Sequence, residues 1–242
     1  MLKQNDRRLN QKRIAILVAD GFEYVELVTP RKALLAAGAQ VDVVSLHRGK
    51  VRGMNLTVPT KTIAVDRTVD EADPADYDGL FIPGGFVNPD FLRQSRAARE
   101  FARAFDEAKR PVATLCHGPW LLASAELVQG RRLTSWPGIR DDMVHAGAIW
   151  RDEEVVRDGN WVSSRSPADL PAFVPAMLDL FASGIAINGW VAPAGDVASS
   201  PKLDRPLDLA VKAARLLPGP TIPALAGAAF GFAVGALAAR RA

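Results

Sequence analysis

The apolar positions along the chain fall into short unbroken runs separated by longer stretches of mixed polarity. Arg13 to Ala19 (RIAILVA) is apolar almost throughout, the pattern of a strand buried on both faces and therefore central and parallel. Asp20-Gly21 marks a turn. Tyr24 to Ala37 then carries apolar residues at helical spacing, closed by Gly38 as a C-terminal cap. Pro30 lies inside that pattern and is expected to kink or divide the helix. Val41 to Leu46 reads as a second strand, so the opening unit is strand–helix–strand. This alternation predicts a doubly wound α/β sheet.

Further along, His47 to Val65 has short β-prone pieces around Gly49 and Gly53, predicted to form a hairpin excursion at the sheet edge. Tyr77 to Ile82 reads as a third core strand running into Pro83-Gly84-Gly85. Ser95 to Lys109 has amphipathic spacing behind a serine N-cap. Pro111 to Leu115 is a fourth buried strand, and it ends at Cys116, the only cysteine. Gly118-Pro119 opens a helical segment, Trp120 to Leu127, with proline in a first turn. Arg132 to Ser135, a helical Ile139 to Ala146, a hairpin from Glu154 to Ser164 around Asp158-Gly159-Asn160, and a helix from Ser166-Pro167 to about Ala182 complete the pattern.

After Ser183 the composition changes. Asp196 to Arg205 is polar and contains proline, Pro206 to Leu217 is a short amphipathic stretch, and Ile222 to Ala239 carries no charge before Arg240-Arg241. The expected organisation is a flexible basic N-terminus over 1–12, an α/β domain over 13–183, a linker over 184–220, and a Gly/Ala-rich tail over 221–242. Gly227, Gly231 and Gly235 recur every four residues, the spacing that lets membrane helices approach closely. The tail is read as a membrane contact, against the plainer reading of a helix docked on the domain.

Composition narrows the class. With 242 residues, 48% of them hydrophobic and 24% charged, the chain can bury a sizeable core. A single cysteine excludes an intrachain disulfide and fits a reducing cytoplasm. The net charge of +3 is dispersed. Only Lys3, Arg7, Arg8, Lys12 and Arg13 cluster, with no aromatic residue among them, which favours a solvated tail and argues against a nucleic-acid partner. No apolar run follows them as a secretory signal would require.

Strand, sharp turn carrying a nucleophile, then helix is the elbow arrangement, here with cysteine in place of serine. A helix N-terminus behind the sulfur would favour the thiolate. The plainer reading is a buried structural thiol. In a doubly wound sheet, ligands bind outside the carboxyl ends of the strands. Those ends hold Glu23 and Glu26, then Gly84 and Gly85, then Cys116 and His117. Gly84 and Gly85 can aim backbone N–H groups at a substrate carbonyl, or simply form a tight turn. A carboxyl buried beside a thiol keeps its proton and can donate it to sulfur, whereas acids near a helix start also complement the dipole. His47, His117 and His145 show no paired spacing and there is no second cysteine, so no metal and no cofactor is expected.

The segments GFEYVEL, LFIPGG, PVATLCHGP, LTSWPGIRDDMVHAGA and VVRDGNWVSSRSPADLPAF stand in this order between Arg13 and about Phe181. On them the chain resembles the PfpI family of the class I glutamine amidotransferase-like superfamily. The resemblance implies a flavodoxin-like α/β sandwich with a mainly parallel sheet, in which Cys116 is the elbow nucleophile. It implies that Glu26 contacts the sulfur, with Glu23 nearby. His117 is the histidine beside the nucleophile, and within so tight an elbow it is not expected to turn back on Cys116 as its direct base. In the protease-like branch a carboxylate from a neighbouring subunit orients this histidine. Asp90, in Asn88-Pro89-Asp90, occupies that position, where the family often has Glu, implying a homo-oligomer with Asp90 at an interface. Trp136 falls where a tyrosine often lines the pocket, which removes a phenolic donor.

Family activities of the peptidase, glyoxalase and deglycase types share one chemistry, thiolate attack on an electrophilic carbonyl. The expected substrate is a small reactive carbonyl or a glycated protein, with the adduct oxyanion near the Gly85 and His117 N–H groups. An intracellular peptidase and a non-catalytic redox sensor or chaperone-like protein remain as alternatives. An amidotransferase subunit would need a downstream His-x-Glu pair, and no histidine follows His145. The tail sequence AGAAFGFAVGALAARRA resembles the glycine-zipper C-termini of ElaB-like bacterial inner-membrane proteins, which would anchor an otherwise cytoplasmic protein.

Overall fold

In the computed structural model, residues 7–183 and 199–202 are described. The chain divides into two units, Met1–Asp204 and Arg205–Ala242, and every described residue belongs to the first. The amphipathic stretch and the Gly/Ala-rich tail lie outside the described residues, as does most of the linker. Among the described residues no helix is long and apolar enough to cross a membrane.

The elements in chain order are β1 (Arg13–Leu17), β2 (Phe22–Glu23), α1 (Tyr24–Ala36), β3 (Gln40–Ser45), β4 (Lys50–Asn55), β5 (Val58–Ala64), β6 (Arg67–Thr68), β7 (Gly79–Ile82), α2 (Val87–Gln94), α3 (Arg96–Glu107) and β8 (Val112–Leu115). They continue with α4 (Pro119–Ser124), β9 (Arg132–Leu133), α5 (Arg140–His145), β10 (Ile149–Trp150), β11 (Val155–Asp158), β12 (Trp161–Ser164) and α6 (Leu170–Ser183). The central sheet has seven strands in the order β11-β12-β8-β7-β1-β3-β6. Every pairing in it is parallel except β11 with β12. This is the expected flavodoxin-like sandwich.

The strand pattern explains the layers. Along β1 and just beyond it, Ile14, Ile16 and Val18 belong to one buried cluster, shared with residues of α1 and α6. Ala15, Leu17 and Ala19 belong to the other, with residues of α3, α4 and α5. Successive side chains of a strand point to opposite faces, so an unbroken apolar run supplies both cores at once. Chain order reverses between β1 and β7, which sets the ligand crevice at their carboxyl ends.

Several expectations are corrected. The β4–β5 hairpin does not extend the central sheet but forms a separate three-stranded sheet with β2, through the pairs Phe22↔Gly53 and Glu23↔Met54. Helix α1 runs undivided through Pro30. The bond proline removes there is the one to the Glu26 carbonyl, four residues earlier. Residues 7–12 are not a solvated tail: Leu9 is fully buried and its N–H donates to the Ala37 carbonyl at 2.9 Å. Lys12 pairs with Asp78 at 3.0 Å and Arg8 with Asp179. One apolar residue among cations is enough to dock the segment. Ser166 precedes a single 3-10 turn, Pro167–Asp169, without a side-chain cap, and α6 starts only at Leu170.

Candidate active site

The central feature is the residue that ends β8. Cys116 has φ +58°, a left-handed conformation that a non-glycine residue adopts only where its surroundings impose it. Its backbone is held on both sides: the Cys116 N–H donates to Ser164 O at 3.0 Å, and its carbonyl accepts from Trp136 N–H at 2.8 Å. The turn closes through the Gly118 N–H on Leu115 O at 2.9 Å. Helix α4 follows immediately but is only six residues long, shorter than expected, so individual N–H groups matter more than a macrodipole. The Gly85 and His117 backbone N–H groups both bond the sulfur and favour its thiolate.

Glu26 lies in the first turn of α1 and is wholly buried. Its Oε2 accepts from the Gly84 N–H at 2.9 Å. This corrects the expectation for Gly84, whose N–H is committed to the carboxyl and unavailable to an oxyanion. A side chain at Gly84 would overlap Glu26 Oε2 and come within 2.5 Å of Cys116 Cβ, so glycine is what lets the three strand ends meet. Oε1 of Glu26 has no nitrogen or oxygen partner, and the side chain hydrogen-bonded to the carboxyl is the Cys116 thiol. Burial pushes the Glu26 pKa up to about 8, so the carboxyl is protonated at neutral pH. Burial also raises the thiol, and a charged Glu26 would raise it further. With the proton on Glu26 that repulsion is absent, and Oε1–H can face the sulfur.

His117 does turn back on the elbow, contrary to expectation: its Nδ1 lies 3.2 Å from Cys116 Sγ. Left-handed backbone at Cys116 rotates the next residue enough for the two side chains to meet. Burial lowers the imidazole pKa to about 4, against an opposing pull from Asp142. The ring is therefore neutral at physiological pH and a weaker base than a free imidazole. It is boxed by aromatic side chains, stacked on Trp136 at 5.9 Å and edge-on to Trp120 at 5.1 Å and Phe86 at 6.5 Å.

A cleft of ≈ 80 Å³ opens beside the sulfur, its walls including Glu23, Glu26, Gly85, Cys116, His117 and Trp136, together with Leu56, Phe86 and Pro167. Glu23 is buried, with its pKa raised by that burial, and accepts from the Leu56 N–H at 2.8 Å. It thereby ties the β4–β5 turn to the site instead of complementing a helix dipole. The role expected of Asp90 is toward the histidine of a neighbouring subunit. Asp90 is exposed on α2, and its carboxylate accepts from Gln94 Nε2 at 3.2 Å. Among the described residues no group of His, Cys, Asp and Glu side chains could hold a metal ion.

Sequence reasoning missed Asn88, Leu56, Phe86 and Asp142. Buried Asn88 accepts from Ala19 N–H at 2.7 Å and donates to the Pro83 and Gly84 carbonyls, pinning the ends of β1 and β7 together. Asparagine directly before Pro89 was the available signal. Leu56 carried none, because its place depends on a turn with φ +54°.

Residues 12–180 match the family model described as the DJ-1/PfpI family. The chain belongs to the DJ-1/PfpI family. Relatives within it include a protein of Pyrococcus abyssi named a deglycase, 45% identical over 168 residues that make up 69% of this chain and 98% of that one. Protein/nucleic acid deglycase 2 of Escherichia coli is 40% identical over 164 residues, covering 67% and 93%. Among solved structures, the DJ-1beta crystal structure of Drosophila melanogaster superposes with a TM-score of 0.64 at 25% identity, over 71% of this chain and 90% of that chain. The family match stops short of residues 199–202.

Proposed function

We propose that the chain is a cysteine-dependent enzyme acting on reactive carbonyls by glyoxalase-type or deglycase-type chemistry, with a stress-protective role. The observation that carries the reading is the convergence, in one small apolar cleft, of a left-handed elbow thiol, a buried carboxyl and a neutral imidazole 3.2 Å from the sulfur. Relatives named deglycases point to the same class.

For a dicarbonyl such as methylglyoxal, the sulfur adds to the aldehyde carbon as its proton leaves through His117 Nδ1, 3.2 Å away, so that no free imidazolium has to accumulate. The carbonyl π pair moves to oxygen, where the Gly85 and His117 N–H groups can meet it once the sulfur, now bonded to carbon and carrying no negative charge, releases them. Protonation of that oxygen gives a hemithioacetal. Transfer of the C1 proton to C2 converts it to a thioester, and water then releases a hydroxy acid and restores the thiol. No oxidant is needed, since the aldehyde carbon is oxidised as its neighbour is reduced. On a glycated amine in its hemiaminal form, the sulfur would take the place of the amine at the carbinol carbon, the C–N bond breaking as the C–S bond forms and the amine leaving with the thiol proton, to give the same hemithioacetal. Glu26, with its proton, would stabilise the thiolate without adding charge.

The test is Cys116→Ser, assayed for loss of methylglyoxal and appearance of lactate. Serine is nearly isosteric but a far weaker nucleophile here, so turnover should fall to background while circular dichroism stays unchanged. Near-wild-type turnover would overturn the thiol mechanism. Asp90 is exposed and lies beside the exposed Phe91, which supports a shared site in a homo-oligomer. Mixing inactive Cys116→Ser and Asp90→Ala subunits should then restore some activity. The membrane-anchor reading of 221–242 rests on sequence alone, and it requires the full chain to sediment with membranes while 1–205 remains in the supernatant.

A further inference from the structure

The imidazole of His117 has no carboxylate hydrogen-bonded to it among the described residues, and its recorded hydrogen-bond contact is the one to Cys116 Sγ. Its orientation therefore depends on what packs around it. Trp120, the second residue of α4, presents its ring to the imidazole at 5.1 Å and an interplanar angle of 62°. That indole is itself held from two other elements. Its Nε1–H donates to Asp142 Oδ2 on α5 at 2.7 Å. The Arg93 guanidinium of α2 lies over the indole at 5.5 Å, while Arg93 Nε donates to Ser124 Oγ at 2.9 Å.

We infer that Asp142 is a positioning residue for His117, acting through the indole of Trp120, which it anchors against the imidazole. The inference rests on the reading of His117 as a working group of the thiol site. Asp142 sits beside a second acid with a different engagement: Asp141 pairs with Arg140 at 2.9 Å and with Lys202. Of the two, only Asp142 is joined to the wall of the site. It also supplies a carboxylate from within the same chain, whereas Asp90 faces Gln94.

The charged and titratable groups around the imidazole can be named element by element. Cys116 adjoins it at the elbow, Glu23 and Glu26 share its cleft from β2 and α1, and Arg93 and Asp142 act from α2 and α5 across Trp120. The Asp142 charge pulls the imidazole pKa upward. The carboxylate therefore has two separable effects, anchoring the indole and favouring the imidazolium.

Three variants of the full chain separate these effects. Asp142→Asn keeps an acceptor for Nε1–H and loses the charge. Asp142→Ala loses both, and Trp120→Phe keeps an aromatic wall but loses the anchored N–H. The readouts are the NMR titration of the His117 ring and the pH dependence of Cys116 alkylation by iodoacetamide. Neither requires turnover, so they answer separately from the carbonyl chemistry. The expected result is a lower His117 midpoint with near-native ring shifts for Asn, and altered ring shifts with slower alkylation for both Ala and Phe. Where methylglyoxal turnover is measurable, kcat should fall about tenfold for Ala and Phe with KM little changed, as for loss of orientation. The Ala/Phe double variant should be no worse than either single one, because both break the same linkage. Unchanged His117 shifts in Asp142→Ala, or losses that multiply in the double variant, would overturn the inference, even if thermal stability falls.

Discussion

Glu26 and His117 are both buried and both titrate far from their ordinary values, but in opposite senses. Glu26 is raised from 4.5 to about 8, so between those values the folded state holds a proton that the unfolded chain has lost. Stability then falls as pH rises through that window. His117 is lowered from 6.5 to about 4, so between those values the unfolded chain holds the extra proton and stability rises with pH. The two slopes oppose each other at lower pH; above the ordinary histidine value Glu26 dominates up to about pH 8, beyond which the raised Cys116 thiol adds a decline of the same sign. We therefore expect urea midpoints to decline from pH 6.5 to pH 8 in the wild type, and to flatten there in Glu26→Gln. A decline of the same steepness in both proteins would mean that Glu26 is not the group responsible. At Gly84 the constraint is steric. Gly84→Ala has to displace Glu26 or the elbow, so it should slow Cys116 alkylation at neutral pH.

At the level of single elements, the amphipathic helix α3 shows how fully local chemistry can specify a segment. Ser95 was expected as its N-cap, and Ser95 Oγ accepts from the Ala98 N–H at 3.2 Å. Phe101, Ala102 and Phe105 then line one buried face. Ser95→Ala should cost about 1 kcal/mol and Ser95→Asp should largely restore it, measured by urea denaturation, with carbonyl turnover unaffected by either. The elbow was equally legible, because a buried strand, a lone cysteine and Gly118-Pro119 constrain one another at short range. The β4–β5 hairpin was legible as a hairpin but not in its place. Its short β-prone pieces described two paired strands, while its third partner, the two-residue β2, is too short to leave a periodic signal.

For the whole molecule, residues 199–202 fold back on the domain beyond the family match. The Ser200 N–H donates to Trp150 O at 2.8 Å, the Trp150 N–H to Ser199 Oγ at 3.0 Å, and Arg140 Nε to Ser200 O at 2.9 Å. Each such bond is worth about 0.5–1.5 kcal/mol net, and ordering each residue costs about 1–2 kcal/mol, so the balance is close to even. A chain ending at residue 183 should therefore match the stability of 1–205 to within about 2 kcal/mol. The Trp150 and Asp152 amides, which bond Ser199 and Ser200, should nonetheless lose their hydrogen-exchange protection. Equal protection in both chains would show that the segment does not hold this edge.

By itself the sequence determined the parallel sandwich, the elbow at Cys116 and the gathering of Glu23, Glu26, Gly84, Gly85 and His117 at strand ends. These follow from periodicity and turn chemistry, which act over a few residues, and from the rule that doubly wound sheets bind at one edge. Tertiary structure alone decided which group each of these meets. The Gly84 N–H went to Glu26 and not to a substrate. His117 reached back to the sulfur, and Asp142 found Trp120 across 22 positions of chain. Leu9 was drawn into the core from a basic segment. An apolar pattern states which face of an element is buried but not which element will cover it. The hydrogen bonds that set the chemistry form between side chains brought together only when those faces have packed.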